Sequence, residues 1–194
     1  MPPKDIDPES GFRLPLPKRE ALPPGAQEIY DRLNDPKGGS LVGLRGPGGI
    51  RLHSPRLAEL SRPVNQYLRN GAGFAPHIRE LAILVDAREV ESRFEWVAHE
   101  AEALKEGVAR ATLAIVRDKK PANGVPETQA VVIALGRELF GARKLSSETF
   151  AAAHRIFGPR QLVDLIALMG EYSATASLLA AFDIQLHPGA KAPW

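Results

Sequence analysis

Apolar residues recur every three or four positions along most of this chain, and no segment shows the strict alternation that a half-buried strand requires. The stretch HIRELAILVDAREVES (77–92) is a clear case, because its apolar positions share one face of a helix. Prolines open several such stretches and glycines follow their ends, which is typical of helix boundaries. The sequence therefore predicts an all-α domain of about seven or eight helices.

The predicted helices are joined by short breaks, one of them near Glu89–Ser92. They cover 24–33, 55–70, 76–89, 93–107, 109–118, 126–143, 146–158 and 159–182. The segment 35–55 is rich in glycine and is predicted to be a long loop, with no phosphate-binding glycine pattern. A weak internal repeat relates 75–84 to 158–168, since each is a small residue and a proline followed by an acid and an apolar run.

Seven of the 17 prolines lie in residues 1–24, which favours an extended arm that wraps a neighbouring surface or stays loose. We expect one helical domain over 25–186 and a short tail over 187–194. The 194 residues are 44% apolar and 25% charged, which suits a single packed domain. The formal charge of +2 and the absence of a basic stripe argue against a nucleic-acid partner. No signal region or membrane-spanning run is apparent, so we expect a cytoplasmic protein.

The chain contains no cysteine. Disulfides, cysteine-ligated metals and thiol nucleophiles are therefore excluded. This exclusion bears directly on which reactions the acidic and histidine residues described next can perform.

Four polar residues are predicted to converge between two neighbouring helices. Glu95 and His99 are four residues apart and share a helix face, and Ser92 lies one turn before Glu95. If the helices form a hairpin that turns near residue 90, Glu80 lies at the same height as His99. A histidine between two carboxylates can transfer protons, with Glu80, Glu95 and His99 as the catalytic candidates.

The same residues also allow a purely structural interpretation. Glu95 and His99 can form an exposed helical pair, and Glu80 can bridge to Arg79 or Arg88. Neighbouring carboxylates raise the pKa of an imidazole and burial lowers it, so the sequence leaves the charge of His99 open.

Three stretches carry a resemblance to a known family: RELAIL (79–84), FEWVAHE (94–100) and the Ala103–Val108 segment. The chain resembles the carboxymuconolactone decarboxylase family over about 54–182, which implies an alkylhydroperoxidase D-like helical bundle. The peroxidases of that superfamily carry a glutamate, eleven residues, Cys-x-x-Cys, three residues and a histidine. Here Glu80 and His99 keep this spacing, but Ser92 and Glu95 stand at the cysteine positions. LHSP (52–55) and Gly170-Glu171-Tyr172 resemble a long-chain branch of the family.

The resemblance implies a decarboxylase-like lyase or isomerase that uses no cofactor and no metal. Thiol peroxidase chemistry is excluded, because it needs a thiolate and a resolving thiol. The implied substrate is a small carboxylated unsaturated lactone from aromatic catabolism. The residues predicted to bind it are Ser92, His53, Tyr172 and Arg45. The arginine that holds its carboxylate stays open among Arg79, Arg88, Arg93, Arg45 and Arg51.

A second hypothesis is a non-catalytic binding or assembly protein on a scaffold that has lost its thiols. Tyr172 then serves as a core residue, and the acids form structural ion pairs. Under either hypothesis the family resemblance implies a homo-oligomer, either a dimer, a trimer or a hexamer.

Overall fold

The computed structural model of the chain describes residues 3–194, and across that range it is helical, without strands. The all-α prediction is confirmed, with eight α-helices in the described range. Their bounds are α1 Pro24–Asn34, α2 Pro47–Arg51, α3 Pro55–Gln66, α4 Pro76–Glu89, α5 Arg93–Lys105, α6 Arg110–Arg117, α7 Glu127–Gly136 and α8 Ser147–Ala181. Proline occupies the first turn of α1, α2 and α4, where its missing N–H costs nothing.

The chain divides into two compact units. The first contains the residues up to Asn65 together with Ser177–Lys191, and the second contains Gln66–Ala176 with Ala192–Trp194. The boundaries of the predicted arm, domain (25–186) and tail therefore differ from the boundaries of these two units.

The described part of the proline-rich segment is packed within the first unit. Phe12 and Ser10 are fully buried, and the backbone N–H of Arg13 donates to the carbonyl of Phe182 over 3.0 Å. In addition, the backbone N–H of Gln185 donates to the carbonyl of Gly11 over 2.8 Å. Gly11 and Arg13 of this segment thus pair with the chain around 182–185. Met1 and Pro2, which the arm prediction also included, lie outside the described residues.

The prediction that 35–55 is a loop is wrong at Pro47–Arg51, where the chain forms the short helix α2. Pro47 fixes a helical φ and follows Gly46, whose φ of −147° is extended, so the helix begins sharply here. The buried side chain of Ile50 and the neighbouring Leu52 hold it on the first unit. Burial of these two side chains outweighs the poor helix propensity of PGGIR.

In the second unit, α4 is the central helix and packs against α5, α6 and α7. All residues from Glu80 to Ala87 are buried, so every face of this part of α4 is covered. The sequence pattern predicted one apolar face only. A helix that is buried all round places its polar residues in the interior too, and α4 has two of them, Glu80 and Asp86.

The last helix contains one break, at the position predicted from Gly158-Pro159. Gly158 has φ 67° and ψ 172°, a conformation that a residue with a Cβ rarely adopts. The two predicted helices are thus joined end to end across a kink. An 18-residue window of α8 has a hydropathy of 1.3, which is enough for a membrane span by length and composition. Half of that window is buried, as in an ordinary core helix, so it is weak evidence for a span.

Two π-helical turns interrupt the second unit, at Tyr67–Gly71 and Arg137–Gly141. The sequence predicted ordinary helix through both. A π turn inserts an extra residue and rotates the side chains that follow, and such turns are frequent at functional sites.

The segment 187–194, which was predicted to be a tail, ends in a tryptophan that makes two ring contacts. Trp194 belongs to the second unit, where its ring meets the Trp96 ring edge-on with centroids 5.4 Å apart. The Arg88 guanidinium lies 4.6 Å from the centre of the Trp194 ring. Both contacts hold this residue on α4 and α5.

Gly136 allows a stability prediction, because α7 and α4 approach closely there. A Cβ at this position would overlap Cγ1 of Val85 and lie 3.3 Å from Cε of Met169. Valine is stiff and fully buried here, so the overlap is not relieved by a rotamer change. We expect Gly136→Ala to lower the free energy of unfolding by about 1–3 kcal/mol in urea denaturation.

Gly170 in α8 provides the matched control. A Cβ there would meet nothing within 4 Å, so Gly170→Ala gains only the helix preference of alanine and stabilises by about 0.5–1 kcal/mol. Equal effects of the two substitutions would contradict the close packing of α4 on α7.

Candidate functional site

The centre of the candidate site is a buried pair formed by Glu80 of α4 and His99 of α5. Nδ1 of His99 lies 2.7 Å from Oε2 of Glu80. The Glu80 side chain is fully buried and that of His99 is 7% exposed. The two helices turn back on each other between Glu89 and Arg93, so Glu80 and His99 meet as the hairpin geometry predicts.

Two arginines contact the other oxygen of Glu80. Nε of Arg79 donates to Oε1 over 2.9 Å, and Nη2 of Arg69 lies 3.6 Å from the same atom. Arg79 also donates from Nη1 to the carbonyl of Arg69 over 3.0 Å, which ties the start of α4 to the first π-helical turn. Glu80 therefore joins two cations on one side to an imidazole on the other.

These contacts shift the two pKa values downwards for different reasons. Burial alone raises the pKa of Glu80, but the hydrogen bonds from His99 and Arg79 and the charge of Arg69 outweigh it, so this pKa lies below its usual value. Burial lowers the pKa of His99 and outweighs the opposing effect of Glu80. Near neutral pH the pair is thus an ionised Glu80 and a neutral His99 whose Nδ1–H donates to the carboxylate. The charge of His99, which the sequence left open, is decided by its burial.

Two further residues of the prediction are buried near this pair: Tyr172 contacts His99, and Glu95 lies one turn before His99 on α5. The ring of Tyr172 from α8 meets the His99 ring edge-on, with centroids 5.2 Å apart. Burial raises the pKa of its phenol, Arg69 opposes this shift, and Glu95 adds to it. Glu95 is 3% exposed, so it is a buried acid and not half of an exposed helical pair. Both residues were predicted for the site and lie in the same unit as the pair.

The other predicted binding residues lie elsewhere in the chain. Ser92 is half-buried at the N-terminus of α5, and its carbonyl accepts from the N–H of Trp96 over 3.1 Å. His53 and Arg45 belong to the first unit, where Nη1 of Arg45 donates to the carbonyls of Pro8 and Glu9. That role of Arg45 is structural, and a role of His53 or Ser92 towards substrate stays a prediction.

Of the arginines that were candidates for holding a substrate carboxylate, Arg79 alone contacts Glu80 among the described residues. Nε of Arg88 donates to the carbonyl of Arg117 over 2.6 Å, and its Nη1 pairs with Glu91. The sequence analysis missed Arg69, because its approach to Glu80 depends on the π-helical turn and not on a spacing that the sequence reveals.

A second buried carboxyl, Asp86, was also missed. It is fully buried on α4, six residues after Glu80, and Oγ of Ser173 donates to its Oδ1 over 2.5 Å. Its Oδ2 is buried and has no hydrogen-bond partner in residues 3–194. Burial raises the pKa of this carboxyl to about 7, the hydrogen bond from Ser173 opposes the shift, and the charge of Glu89 adds to it.

No group of three or more histidine or acidic residues in the described part of the chain is arranged to hold a metal ion. One histidine with two carboxylates is in any case a poor set of zinc ligands.

The chain matches no protein-family model and no curated protein. The resemblance to the carboxymuconolactone decarboxylase family stays a prediction from the residues that carry it.

Asp86 makes the stability of the protein depend on pH. Its pKa in the folded protein is raised to about 7 from an ordinary value of 3.8, so the fold favours the protonated acid. This contribution is complete below about pH 4 and is lost as the pH rises to about 7, and it amounts to roughly 4 kcal/mol. We expect the stability of the wild type relative to Asp86→Asn to fall by that order between pH 4 and 7, in urea denaturation.

Glu127→Gln is the matched control, since Glu127 is 68% exposed and pairs with Arg155 at the surface. Its stability relative to wild type should change little over the same range. A difference between wild type and Asp86→Asn that is independent of pH would show that Asp86 titrates as an ordinary surface acid.

Proposed function

We propose that this protein is a cofactor-free lyase or isomerase that acts on a small carboxylated unsaturated substrate of the lactone type, as in aromatic catabolism. The observation that carries the proposal is the 2.7 Å contact between Nδ1 of His99 and Oε2 of Glu80 in a buried setting. An imidazole held in this way has a fixed tautomer and a fixed ring orientation, which are the properties that a proton-transfer group needs.

The chemistry follows from the charge state of the pair. Because the Nδ1–H of neutral His99 donates to Glu80, the lone pair for a reacting proton is on Nε2. His99 takes a proton from the substrate or from solvent, and Glu80 stabilises the imidazolium that results. In a decarboxylation, the bond to the carboxylate breaks, carbon dioxide leaves, and the electron pair enters the unsaturated system. In an isomerisation, a C–H bond breaks instead and His99 takes its proton. In both, the imidazolium then gives a proton to a carbon atom of the substrate.

The family resemblance supports the same class of reaction. Glu80 and His99 keep the spacing of the superfamily motif, whereas Ser92 and Glu95 occupy its cysteine positions. A chain without cysteine retains only the acid–base half of that motif. The proposal therefore includes a member of the carboxymuconolactone decarboxylase family that is a homo-oligomer in the cytoplasm, and it excludes a thiol peroxidase.

One observation favours a second function, a non-catalytic binding or assembly protein. Glu80 has no exposed surface, and its two oxygens contact His99 on one side and Arg79 and Arg69 on the other. A network of this kind also serves to fix the packing of two helices. Turnover separates the two functions, since only the first requires a reacting proton at His99.

The test is turnover of a panel of carboxylated unsaturated lactones in D₂O, followed by NMR for loss of the carboxyl group and for deuterium at carbon. We expect the wild type to turn over at least one of these lactones. His99→Gln should lower kcat by about 10²–10⁴, because it removes the proton-transfer group.

His154→Gln is the matched control, because His154 is an exposed histidine stacked on Phe150. It should keep wild-type kcat, and thermal unfolding should show that both variants fold. Activity that survives His99→Gln would eliminate the acid–base proposal. Absence of turnover by the wild type across the panel would favour the binding or assembly function.

A further inference from the structure

We propose that Arg69 is the residue that binds a carboxylate group of the substrate beside His99. This inference rests on the proposed function, since it names the anchor for the substrate at the same site. It also resolves the choice of arginine, which the sequence left open among five residues that did not include Arg69.

The first argument concerns the hydrogen bonds that Arg79 and Arg69 donate. Arg79 donates from Nε to Glu80 and from Nη1 to the carbonyl of Arg69. Arg69 approaches Glu80 only to 3.6 Å, which is too long for a hydrogen bond. Among the described residues, its guanidinium makes no hydrogen bond to a carboxylate. The guanidinium has five N–H donors and forms an ion pair with Glu80, but it donates no hydrogen bond to that carboxylate.

The second argument is exposure. The Arg69 side chain is 24% exposed, compared with 14% for Arg79, 7% for His99 and none for Glu80. Of the charged side chains in direct contact with Glu80, that of Arg69 is the most exposed. An anion arriving from solvent meets Arg69 first.

The third argument is that the position of Arg69 is fixed by its surroundings. It lies in the π-helical turn Tyr67–Gly71, whose backbone is bonded by Arg79 through the carbonyl of Arg69. The hydroxyl of Tyr67 donates to Oδ2 of Asp164 over 3.0 Å, which attaches the same turn to α8. The backbone from which the Arg69 side chain extends is thus held in place, so binding a carboxylate costs no ordering of this turn.

The last argument is the geometry relative to His99. Arg69 approaches Oε1 of Glu80, and His99 contacts Oε2 of the same carboxyl group. The anchor and the proton-transfer group therefore lie on either side of one carboxylate. A substrate whose carboxylate pairs with Arg69 brings its neighbouring carbon atoms towards the imidazole, while Glu80 keeps both residues in place.

The test measures binding of muconate, an unsaturated dicarboxylate, by isothermal titration, with dimethyl muconate as the uncharged probe. We expect the wild type to bind muconate and not its ester. Arg69→Met should weaken muconate binding at least about tenfold, and Arg69→Lys should weaken it less, since the charge stays but the two-pronged geometry is lost. Arg155→Met is the control, because Arg155 is 61% exposed and pairs with Glu127.

A second measurement needs no variant: muconate added to ¹⁵N-labelled wild type should shift the Nε–H resonance of Arg69. Unchanged affinity in a folded Arg69→Met, or no shift at Arg69, would overturn the inference. Failure of the wild type to bind muconate would overturn it too. Binding that depends on Arg69 without any turnover would support the anchor and count against the catalytic function, so the two proposals fail separately.

Discussion

Helix α4 is buried on every side between Glu80 and Ala87, and two of these buried residues, Glu80 and Asp86, are acids. Burying an ionised carboxylate costs free energy unless the charge is paired, and the two acids differ in their partners. Glu80 is surrounded by two arginines and an imidazole, so it is ionised. Within the described residues, the hydroxyl of Ser173 is the one hydrogen-bonding partner of the Asp86 side chain, and burial raises the pKa of this acid to about 7.

The function that we propose depends on the ionised state of Glu80. Ionised Glu80 is the acceptor that orients His99, and burial keeps the imidazole neutral and ready to take a proton. The same carboxylate attracts the guanidinium of Arg69 without saturating its donors. A single buried acid therefore sets the tautomer of the base and places a cation beside it.

Much of the architecture can be predicted from local signals in the sequence. Proline at the first turn fixes where α1 and α4 begin, and Gly158 marks the break in α8, because each rule depends on φ alone. The meeting of Glu80 with His99 can be predicted as well, since a hairpin of two helices brings residues equally far from its turn to the same height. The chemistry of cysteine is excluded by composition alone.

The remainder depends on tertiary contacts that have no local signal. Helix α2 forms in a glycine-rich segment because Ile50 is buried in the first unit. The π-helical turn that brings Arg69 to Glu80 interrupts a segment that has an ordinary helical pattern. The burial of Asp86 follows from helices that pack around α4, and its partner Ser173 comes from α8, which is distant in the sequence. For the same reason, the charge of His99 could not be assigned until its burial was known.

The central claim is that His99 is a neutral imidazole whose Nδ1–H donates to an ionised Glu80. Two-bond ¹H–¹⁵N correlation spectra of the histidine rings, recorded from pH 8 down to pH 5, report both the tautomer and the pKa. We expect His99 to show the Nδ1–H form at pH 7 and to protonate below the ordinary value of 6.5. An imidazolium at pH 7, or the Nε2–H tautomer, would contradict this account.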